Sequence, residues 1–559
     1  MQICGTVIFN ESNLMSPVTA LTKFKQKIHQ DRNSELFEEF PETMGELMER
    51  AAENFPDSPA FNFFHDGITL TFSEVRDQVR ATADTLSQQG VGLNSHIGVI
   101  MGNRVEFPIT WLSLALLGAV MVPIHKKSTA REIEFIINDA DVDFMIVESE
   151  FFDEMEMAIA KSDRIRLDQV MVLGPVENRM VLDYNSIVGA GDPNFSLTTK
   201  FGSDQLLNIQ YTSGSTGTPK GAMLSHRYWI ICGGRVQAHW GEMNSILSDH
   251  PFFYMDPQWK VSAALHGGAQ IHFSNRMSVK TFMDWIHDYK VEVAYLPEPL
   301  LKLPEMPEDK KTNVKVFIAY AFSREQIIEA EKRYNTKVRE EFGMTEIGSG
   351  LVVPYEVLDN KIFGTCGLPA VLRECKILDG SGNEVPDGVP GELWVSGDGI
   401  FKGYYNRPEQ NKECLVDGWF KTGDVFAITE EGYYKYIGRN KDMIKRSGEN
   451  ISAYEVEVTL RELHQLEEVA VLAVPDEKRD EEVKAYIQLR PGFTAGDLPP
   501  EMIIKYCKGR LSSFKIPRYF EYIEELPYTP SAKVAKANLK AMKSDLRSGS
   551  FDAVENVWR

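Results

Sequence analysis

The chain reads YTSGSTGTPKGAMLSH from Tyr211 to His226, and this stretch decides how the fold is interpreted. The residues just before it, Leu206 to Ile209, have the apolar character of a buried strand that is about to end. The residues after it, Tyr228 to Val236, are compatible with a helix. The loop between them is rich in glycines and hydroxyl side chains and carries one lysine.

This loop composition predicts a phosphate-binding site. Glycines allow sharp turns, and successive backbone N–H groups in such a turn form a concave anion site. Hydroxyls donate to phosphate oxygens, and a lysine adds a positive charge. The residues expected to contact phosphate are Thr212, Ser213, Gly214, Ser215, Thr216, Gly217, Thr218 and Lys220.

Two other interpretations of the loop are weaker. It is not a Walker A loop, because the fifth residue after Gly214 is Pro219, where that motif requires a second glycine. A flexible surface loop rich in Ser, Thr and Gly is the plainer alternative. Such loops seldom combine a preceding buried strand with a following Pro-Lys-Gly.

The segment from Thr212 to Gly221 resembles the signature loop of the AMP-forming adenylating superfamily. This superfamily includes acyl-CoA synthetases, peptide-synthetase adenylation domains and beetle-luciferase-like enzymes. Further motifs extend the resemblance across nearly the whole chain beyond the first forty residues. The resemblance implies ATP and Mg²⁺ as cofactors and a carboxylic acid as substrate.

Length, charge and cysteine content agree with a large protein that binds small molecules. With 559 residues the chain should divide into two or more domains. Its net charge of −21 argues against a nucleic acid or an anionic membrane surface as the main ligand. The cysteines show no CxxC or metal-ligand spacing, and we find no secretory signal, so we expect a cytoplasmic protein with reduced thiols. The apolar stretch from Phe107 to Pro123 is short for a membrane span and predicts a buried helix followed by a buried strand.

The order of predicted elements indicates an α/β fold. Strands alternate with helices, which predicts two doubly wound sheets within a large N-terminal domain, residues 41–439. Dense glycines and short strands predict a small β-barrel-like subdomain at about 350–439. An α+β domain follows at 440–559, and the resemblance implies that it is mobile. Residues 1–40 form an N-terminal extension to which we assign no function.

A second motif, Glu341-Phe342-Gly343-Met344-Thr345-Glu346, resembles the family's aromatic-Gly-x-Thr-Glu sequence. The resemblance implies that Phe342 stacks on adenine, that Thr345 bonds the α-phosphate and that Glu346 holds Mg²⁺. That metal ion prefers one or two carboxylates together with phosphate oxygens and water. Taken alone, the motif also fits a strand that ends in a solvated turn. The family lines its adenine pocket with small residues at a place occupied here by Ala319, Tyr320 and Ala321.

Two further motifs lie near the expected hinge: one precedes it and the other forms it. Thr422-Gly423-Asp424 resembles the ribose motif, in which Asp424 accepts both ribose hydroxyls and Arg439 bonds ribose or phosphate. The stretch 438–451 resembles the hinge about which the small domain pivots between two half-reactions. Lys441 stands at the pivot, and Lys445 and Gly448 match parts that face the active site in the thioester-forming state. Without this context, a solvated turn and a basic interdomain turn would explain the same residues.

The tail sequence Pro530-Ser531-Ala532-Lys533-Val534 resembles the family's terminal motif. Its lysine, Lys533, is therefore implied to be the catalytic lysine. Ala532 replaces the usual glycine, and an alanine is less tolerant of a positive φ. The alternative is one more exposed lysine in a lysine-rich tail.

The stretch from His250 to Trp259 departs from the family pattern. Tyr254 stands where the family usually has a histidine that lines the carboxylate pocket. Four aromatics, Phe252, Phe253, Tyr254 and Trp259, together with Asp256 would suit a quaternary ammonium substrate. The spacing resembles the carnitine/crotonobetaine-CoA ligase branch. We therefore assign Tyr254, Asp256 and Trp259 to the substrate pocket, with packing of these aromatics in the core as the alternative.

Together these motifs predict an acid–thiol ligase. It would join a carboxylic acid to ATP as acyl-AMP and then transfer the acyl group to coenzyme A. An adenylating enzyme that serves a carrier protein or amine, and a catalytically weak AMP- or acyl-binding scaffold, are the alternatives. The sequence leaves the acid and the oligomeric state open, a homodimer among the arrangements it allows.

Overall fold

The computed structural model describes residues 40–177, 180–197, 199–212, 219–355, 357, 360–447, 449–529 and 533–559. Most of the N-terminal extension lies outside this part of the chain. So do several residues predicted to bind the nucleotide or to shape the tail motif: Ser213, Gly214, Ser215, Thr216, Gly217, Thr218, Gly448 and Ala532.

The first sheet has seven strands, and all neighbouring strands run parallel except the last pair. In spatial order the strands are Leu182–Asp183, Val170–Leu173, Phe144–Glu148, His96–Ile100, Val120–Pro123, Leu206–Thr212 and Lys220–Ser225. The predicted strand before the Tyr211 loop is therefore confirmed.

The segment after this loop differs from the prediction. The helix expected over Tyr228 to Val236 is confirmed as His226–Trp240, but Lys220–Ser225, which was expected to belong to the loop, forms an antiparallel strand against Leu206–Thr212. Ala222 and Leu224, two residues apart and so on the same face of the strand, are fully buried, whereas Met223 between them is partly exposed. Thr212 and Lys220 are cross-strand partners, so both ends of the phosphate loop are held side by side.

The second sheet has nine strands, parallel in the middle and antiparallel at both edges. In spatial order they are Leu368–Pro369, Gly348–Val352, Lys337–Met344, Val316–Ala319, Val293–Tyr295, Ser245–Ser248, Gln270–Phe273, Pro59–Phe63 and Ile68–Thr71. The two sheets confirm the doubly wound α/β prediction.

Helices cover these sheets: Met44–Asn54, Phe72–Gln88, Glu106–Leu117, Ala130–Asp139, Phe152–Ile159, His226–Trp240, Met255–Gly267, Phe282–Asp288 and Arg324–Tyr334. Glu106–Leu117 is the buried helix predicted from the apolar stretch. The helix Phe72–Gln88 begins with a capping box between Thr71 and Glu74. In the part of the chain that is described, no helix has the length and apolar character to cross a membrane.

The β-rich subdomain is a five-stranded antiparallel sheet. Its strands are Arg373–Leu378, Gly391–Gly397, Leu415–Val416, Trp419–Ile428 and Tyr434–Arg439, and the helix Pro408–Cys414 precedes the third of them. The last strand leads directly into the predicted hinge.

The C-terminal part is an α+β unit with a hydrophobic core of its own. Its strands are Met443–Arg446, Glu449–Ser452, Leu466–Asp476, Asp480–Leu489, Tyr519–Tyr522, Phe551–Asp552 and Val557–Trp558. Its helices are Ala453–Arg461, Pro500–Cys507 and Lys536–Ala541.

Candidate active site

A cleft of about 2440 Å³ is lined by residues of the large part and of the C-terminal part. It lies where the strands Val293–Tyr295, Val316–Ala319 and Lys337–Met344 reach their carboxyl ends, the usual ligand position in such sheets. Predicted site residues that line the cleft are Thr212, Lys220, Asp256, Trp259, Tyr320, Ala321, Glu341, Phe342, Gly343, Met344, Thr345, Glu346, Asp424, Arg439, Lys441 and Lys533.

Asp424 is positioned by the antiparallel pairing of the strands Trp419–Ile428 and Tyr434–Arg439. The register places it opposite Arg439, whose Nε lies 3.0 Å from Asp424 Oδ1. The Tyr436 hydroxyl donates to the same oxygen at 3.4 Å. The other oxygen, Oδ2, is buried and has no hydrogen-bond partner among the described residues. Burial raises the pKa of Asp424 to about 6, although the charge of Arg439 acts in the opposite direction.

Glu346 follows the strand Lys337–Met344 in a turn, and its side chain is largely buried. The Tyr404 hydroxyl donates to Glu346 Oε1 at 2.6 Å, which fixes the orientation of the carboxylate. Lys220 Nζ lies 5.1 Å from the centroid of the Tyr404 ring. Tyr404 therefore contacts both the turn that carries Glu346 and the strand that carries Lys220. The sequence analysis did not identify Tyr404 as a site residue.

The residues around Glu346 fit a magnesium ion. In the described part of the chain, no group of three or more His, Cys, Asp or Glu side chains could hold a metal by itself. Mg²⁺ usually takes one or two carboxylates and completes its shell with phosphate oxygens and water. The oriented Glu346 carboxylate, beside the predicted phosphate loop, would meet that requirement.

An aromatic wall lies next to the Asp424 carboxylate. Phe342 and Tyr436 are stacked with ring centroids 6.3 Å apart at 28°, and Phe426 packs edge-on against Phe342 at 4.9 Å. Gly343 permits the close pairing of its strand with Gly348–Val352, because a Cβ there would lie 2.6 Å from the carbonyl oxygen of Gly348. Tyr436 lies three residues before Arg439 and was also missed by the sequence analysis.

The predicted adenine-pocket residues divide into two groups. Tyr320 and Ala321 line the cleft, and Ala321 adopts a left-handed backbone with φ of 59°. Ala319 is instead fully buried in the core of the second sheet and is not among the described lining residues. Its assignment to the pocket is not supported by its position, because the strand alternates its side chains between faces.

Lys533 reaches the cleft from the C-terminal part. Its backbone carbonyl accepts from Thr529 N at 2.7 Å, so the two sides of the tail loop are tied together. Burial by surrounding protein atoms lowers the pKa of Lys533, and Arg439 adds to this effect. Asp424 and Glu346 act on that pKa in the opposite direction, which places the ammonium within electrostatic reach of both carboxylates.

The hinge residues occupy different positions. Lys441 lies in the short 3₁₀ helix Asn440–Asp442 and lines the cleft, where burial lowers its pKa. Lys445 is exposed on the strand Met443–Arg446 and is not among the described residues that line the cleft. The structure therefore brings Lys441 and Lys533, but not Lys445, to the site.

The predicted aromatic cage is not formed. Phe252 packs in the core against Phe107 and Trp111, with centroids 4.9 and 6.1 Å away. Tyr254 begins the helix Met255–Gly267 and is not among the described cleft residues. Burial raises its pKa to about 12. Tyr254 lies at the N-cap of this helix and Trp259 lies within it, so the two side chains have different surroundings.

Asp256 and Trp259 do line the cleft, but the sequence analysis overlooked the lysine beside them. Lys260 Nζ lies 2.8 Å from Asp256 Oδ2 and 4.4 Å from the ring centroid of Tyr295. An acidic residue followed by lysine at i+4 on a helix is a signal that could have revealed this pair.

Comparison with known proteins agrees with these features. Residues 48–405 match the model of the AMP-binding enzyme family, and residues 455–533 match the AMP-binding enzyme C-terminal domain. A crotonobetaine/carnitine–CoA ligase of Proteus mirabilis is 29% identical over 487 residues, which cover 84% of this chain and 93% of the relative.

Solved structures share the fold. ATP-bound MatB from Rhodopseudomonas palustris has a TM-score of 0.79 at 23% identity and covers 90% of this chain and 99% of its own. A benzoate CoA ligase from Burkholderia xenovorans LB400 has a TM-score of 0.79 at 21% identity, covering 89% and 99%. By its match over most of its length, by its two sheets and by its cleft, the chain belongs to the AMP-binding enzyme family.

Proposed function

We propose that this protein is an ATP-dependent, AMP-forming acyl-CoA ligase. It activates a carboxylic acid as acyl-AMP with release of pyrophosphate and then transfers the acyl group to coenzyme A. The observation that carries the proposal is the position of Lys533, which extends from the C-terminal part into a cleft with Asp424 and Glu346. Relatives with the names of CoA ligases support the thiol as acceptor.

The nucleotide would bind along one side of the cleft. Asp424 Oδ2, which has no hydrogen-bond partner among the described residues, would accept from the ribose hydroxyls, since Oδ1 is paired with Arg439. Phe342 and Tyr436 offer ring faces to adenine. Thr212 and Lys220 flank the phosphate loop, and the residues predicted to bind phosphate between them, 213–218, would complete the proposed cradle.

The first half-reaction brings together two anions, the acid and the triphosphate. Lys533, Lys220 and Arg439 supply positive charge, and Glu346 with Thr345 would hold Mg²⁺ and the α-phosphate. No protein nucleophile is required, so orientation and electrostatic stabilisation carry the step. This agrees with a cleft that holds charged and aromatic groups from both parts of the chain.

The second half-reaction requires another arrangement of the C-terminal part. We place the pivot at Lys441, between the strands Tyr434–Arg439 and Met443–Arg446. A rotation there would withdraw Lys533 and present Lys445 and Gly448 to the acyl-AMP. The domain boundaries that follow are 41–439 and 440–559, after the extension 1–40.

Two assays test the proposal. ATP–pyrophosphate exchange over a panel of carboxylic acids detects adenylation, and acyl-CoA formation with free coenzyme A detects transfer. Exchange without acyl-CoA would favour a carrier protein or an amine as acceptor. Absence of exchange with every acid, at nucleotide concentrations that saturate binding, would favour a binding scaffold and contradict the proposal.

A further inference from the structure

Behind the wall of the cleft near Trp259 lies a lysine that the proposed reaction does not use; it contacts the lining residues Asp256 and Tyr295. Lys260 lies on the helix Met255–Gly267, and its side chain is fully buried. Its Nζ is 2.8 Å from Asp256 Oδ2, 4.4 Å from the Tyr295 ring centroid and 5.6 Å from that of Trp259. A cation of the protein is thus held by one carboxylate and two aromatic rings.

These are the groups that a quaternary ammonium substrate would need. Such a substrate is recognised by aromatic faces and a counter-charge in a site with little water. Here Lys260 neutralises Asp256 and lies near both rings. A trimethylammonium group entering this end of the cleft would approach another cation, and like charges repel most strongly where solvent is excluded.

A second ion pair at this end is also complete. Arg235 Nη2 lies 3.0 Å from Glu341 Oε1, and both side chains are almost fully buried. Glu341 therefore offers no unpaired charge to a substrate. Tyr295 and Tyr320 lie between the two ion pairs and bond to each other through their hydroxyls at 2.7 Å.

His250 and Asp249 complete the charged groups that face Asp256. His250 Nδ1 lies 2.9 Å from Asp249 Oδ1 and 3.6 Å from Asp256 Oδ2. Burial lowers the pKa of His250, but the hydrogen bond to Asp249 and the charge of Asp256 outweigh burial and raise it. Each of the three carboxylates described here thus lies beside a basic side chain: Asp256 beside Lys260, Glu341 beside Arg235 and Asp249 beside His250.

One oxygen in this group still lacks a partner. Asp256 Oδ1 is buried and has no hydrogen bond from the described residues. A second cation bound there would lie close to the Lys260 ammonium, because both oxygens belong to one carboxylate. A neutral donor, such as a hydroxyl or an amide N–H, meets the need of Oδ1 without adding charge.

We infer that Lys260 determines the substrate class, so that the activated acid carries an uncharged tail and quaternary-ammonium acids are excluded. The inference rests on the proposed function, because it takes this end of the cleft as the acyl pocket. It separates the chain from the crotonobetaine/carnitine–CoA ligases with which it shares sequence.

A pair of acids of equal shape tests the inference directly. γ-Butyrobetaine and 5,5-dimethylhexanoate differ chiefly in the exchange of a trimethylammonium for a tert-butyl group. Calorimetric titration of the full-length protein with saturating AMP should show at least about tenfold tighter binding of the neutral acid. Equal or tighter binding of γ-butyrobetaine, or binding of neither acid, would overturn the inference.

Variants of Lys260 identify the cause of the preference. Lys260→Met removes the cation with little loss of volume. We expect the affinity for 5,5-dimethylhexanoate, divided by the affinity for γ-butyrobetaine, to fall at least about fivefold in this variant. Lys260→Arg keeps a cation and should retain the wild-type ratio. An unchanged ratio in Lys260→Met would assign the preference to another residue and overturn the inference, while the wild-type ratio remains decisive if that variant does not fold.

Pyrophosphate exchange with the same two acids separates this inference from the proposed function. A binding preference for the neutral acid without exchange would support the role of Lys260 and contradict the ligase activity. Exchange that is faster with γ-butyrobetaine would support the ligase activity and contradict the role of Lys260.

Discussion

Basic side chains in the cleft lie near Asp424, where the proposed function places the ribose of the nucleotide. Lys533 and Arg439 come from different parts of the chain, and both act on the Asp424 carboxylate. The motifs around Asp424 and Lys533 could be found in the sequence because they depend on neighbouring residues. Lys260 could not be assigned in this way, because its contact with Tyr295 joins residues on a helix and a distant strand.

The first prediction concerns Lys533. We expect Lys533→Ala to reduce ATP–pyrophosphate exchange by at least about 10²-fold, the size of effect for one positioned transition-state contact. Thiolysis of added acyl-AMP by coenzyme A should be nearly unchanged. Lys478→Ala, an exposed lysine of the same part outside the cleft, serves as the control. Normal exchange in Lys533→Ala would remove this residue from the mechanism.

A second prediction concerns Asp424, whose pKa is about 6. Only the ionised carboxylate accepts both ribose hydroxyls, so we expect the KM for ATP to rise as the pH falls below about 6. Asp424→Asn should raise KM roughly tenfold or more at neutral pH and remove this pH dependence. Asp417→Asn makes the same change at an exposed turn beside the same strand. A wild-type KM that is flat from pH 5 to 7 would contradict the prediction.

At the scale of elements, strands and helices differ in how well the sequence revealed them. The parallel strands were predicted because continuous apolar runs are typical of sheets that are covered on both faces. Lys220–Ser225 was missed because its glycine and lysine suggested a loop. The helix Met255–Gly267 was missed because its N-cap, Tyr254, makes no side-chain cap hydrogen bond and Pro257 follows closely.

The strand Lys337–Met344 carries a buried acid whose ionisation opposes folding. Glu340 Oε2 has no hydrogen-bond partner among the described residues, and burial raises the pKa of Glu340 to about 8. The unfolded chain loses this proton near its ordinary pKa of about 4.3. Between these values the native state binds the proton more tightly, so the free energy of unfolding falls as the pH rises.

We therefore predict that Glu340→Gln stabilises the protein at pH 8 by roughly 1–3 kcal/mol relative to wild type and has little effect at pH 5. Thermal unfolding at both pH values measures the difference. Glu374→Gln removes the same charge at an exposed position of a neighbouring sheet and should show no such trend. The same shift in Tm at both pH values would rule out titration of Glu340 as the cause.

At the scale of the whole molecule, the arrangement of two parts around a cleft could be anticipated from motif order. The side chains that join the two parts could not, because contacts such as the one between the rings of Tyr436 and Tyr454, whose centroids lie 4.9 Å apart, depend on how the two parts dock. The segment proposed as the hinge is short: Asn440–Asp442 separates two strands of different sheets.

A proline at the hinge tests whether the two half-reactions need different orientations. Asn440 begins the 3₁₀ helix, and Arg439 before it is extended with ψ of 139°, so Asn440→Pro fits the observed conformation. We expect exchange within about threefold of wild type and acyl-CoA formation reduced at least about tenfold. Asn440→Ala, which leaves the backbone free, should retain both activities. Equal losses in both reactions would contradict a pivot at this place.

The pairing of Asp424 with Arg439 has a consequence for the shape of the molecule. Arg439 is the last residue of the strand Tyr434–Arg439 and immediately precedes Asn440–Asp442, the segment proposed as the pivot. A ribose bound to Asp424 therefore alters the electrostatic surroundings of Arg439, which precedes the C-terminal part in the chain. We expect filling of the nucleotide pocket to change the average compactness of the protein, and small-angle X-ray scattering with and without AMP would report this as a change in radius of gyration.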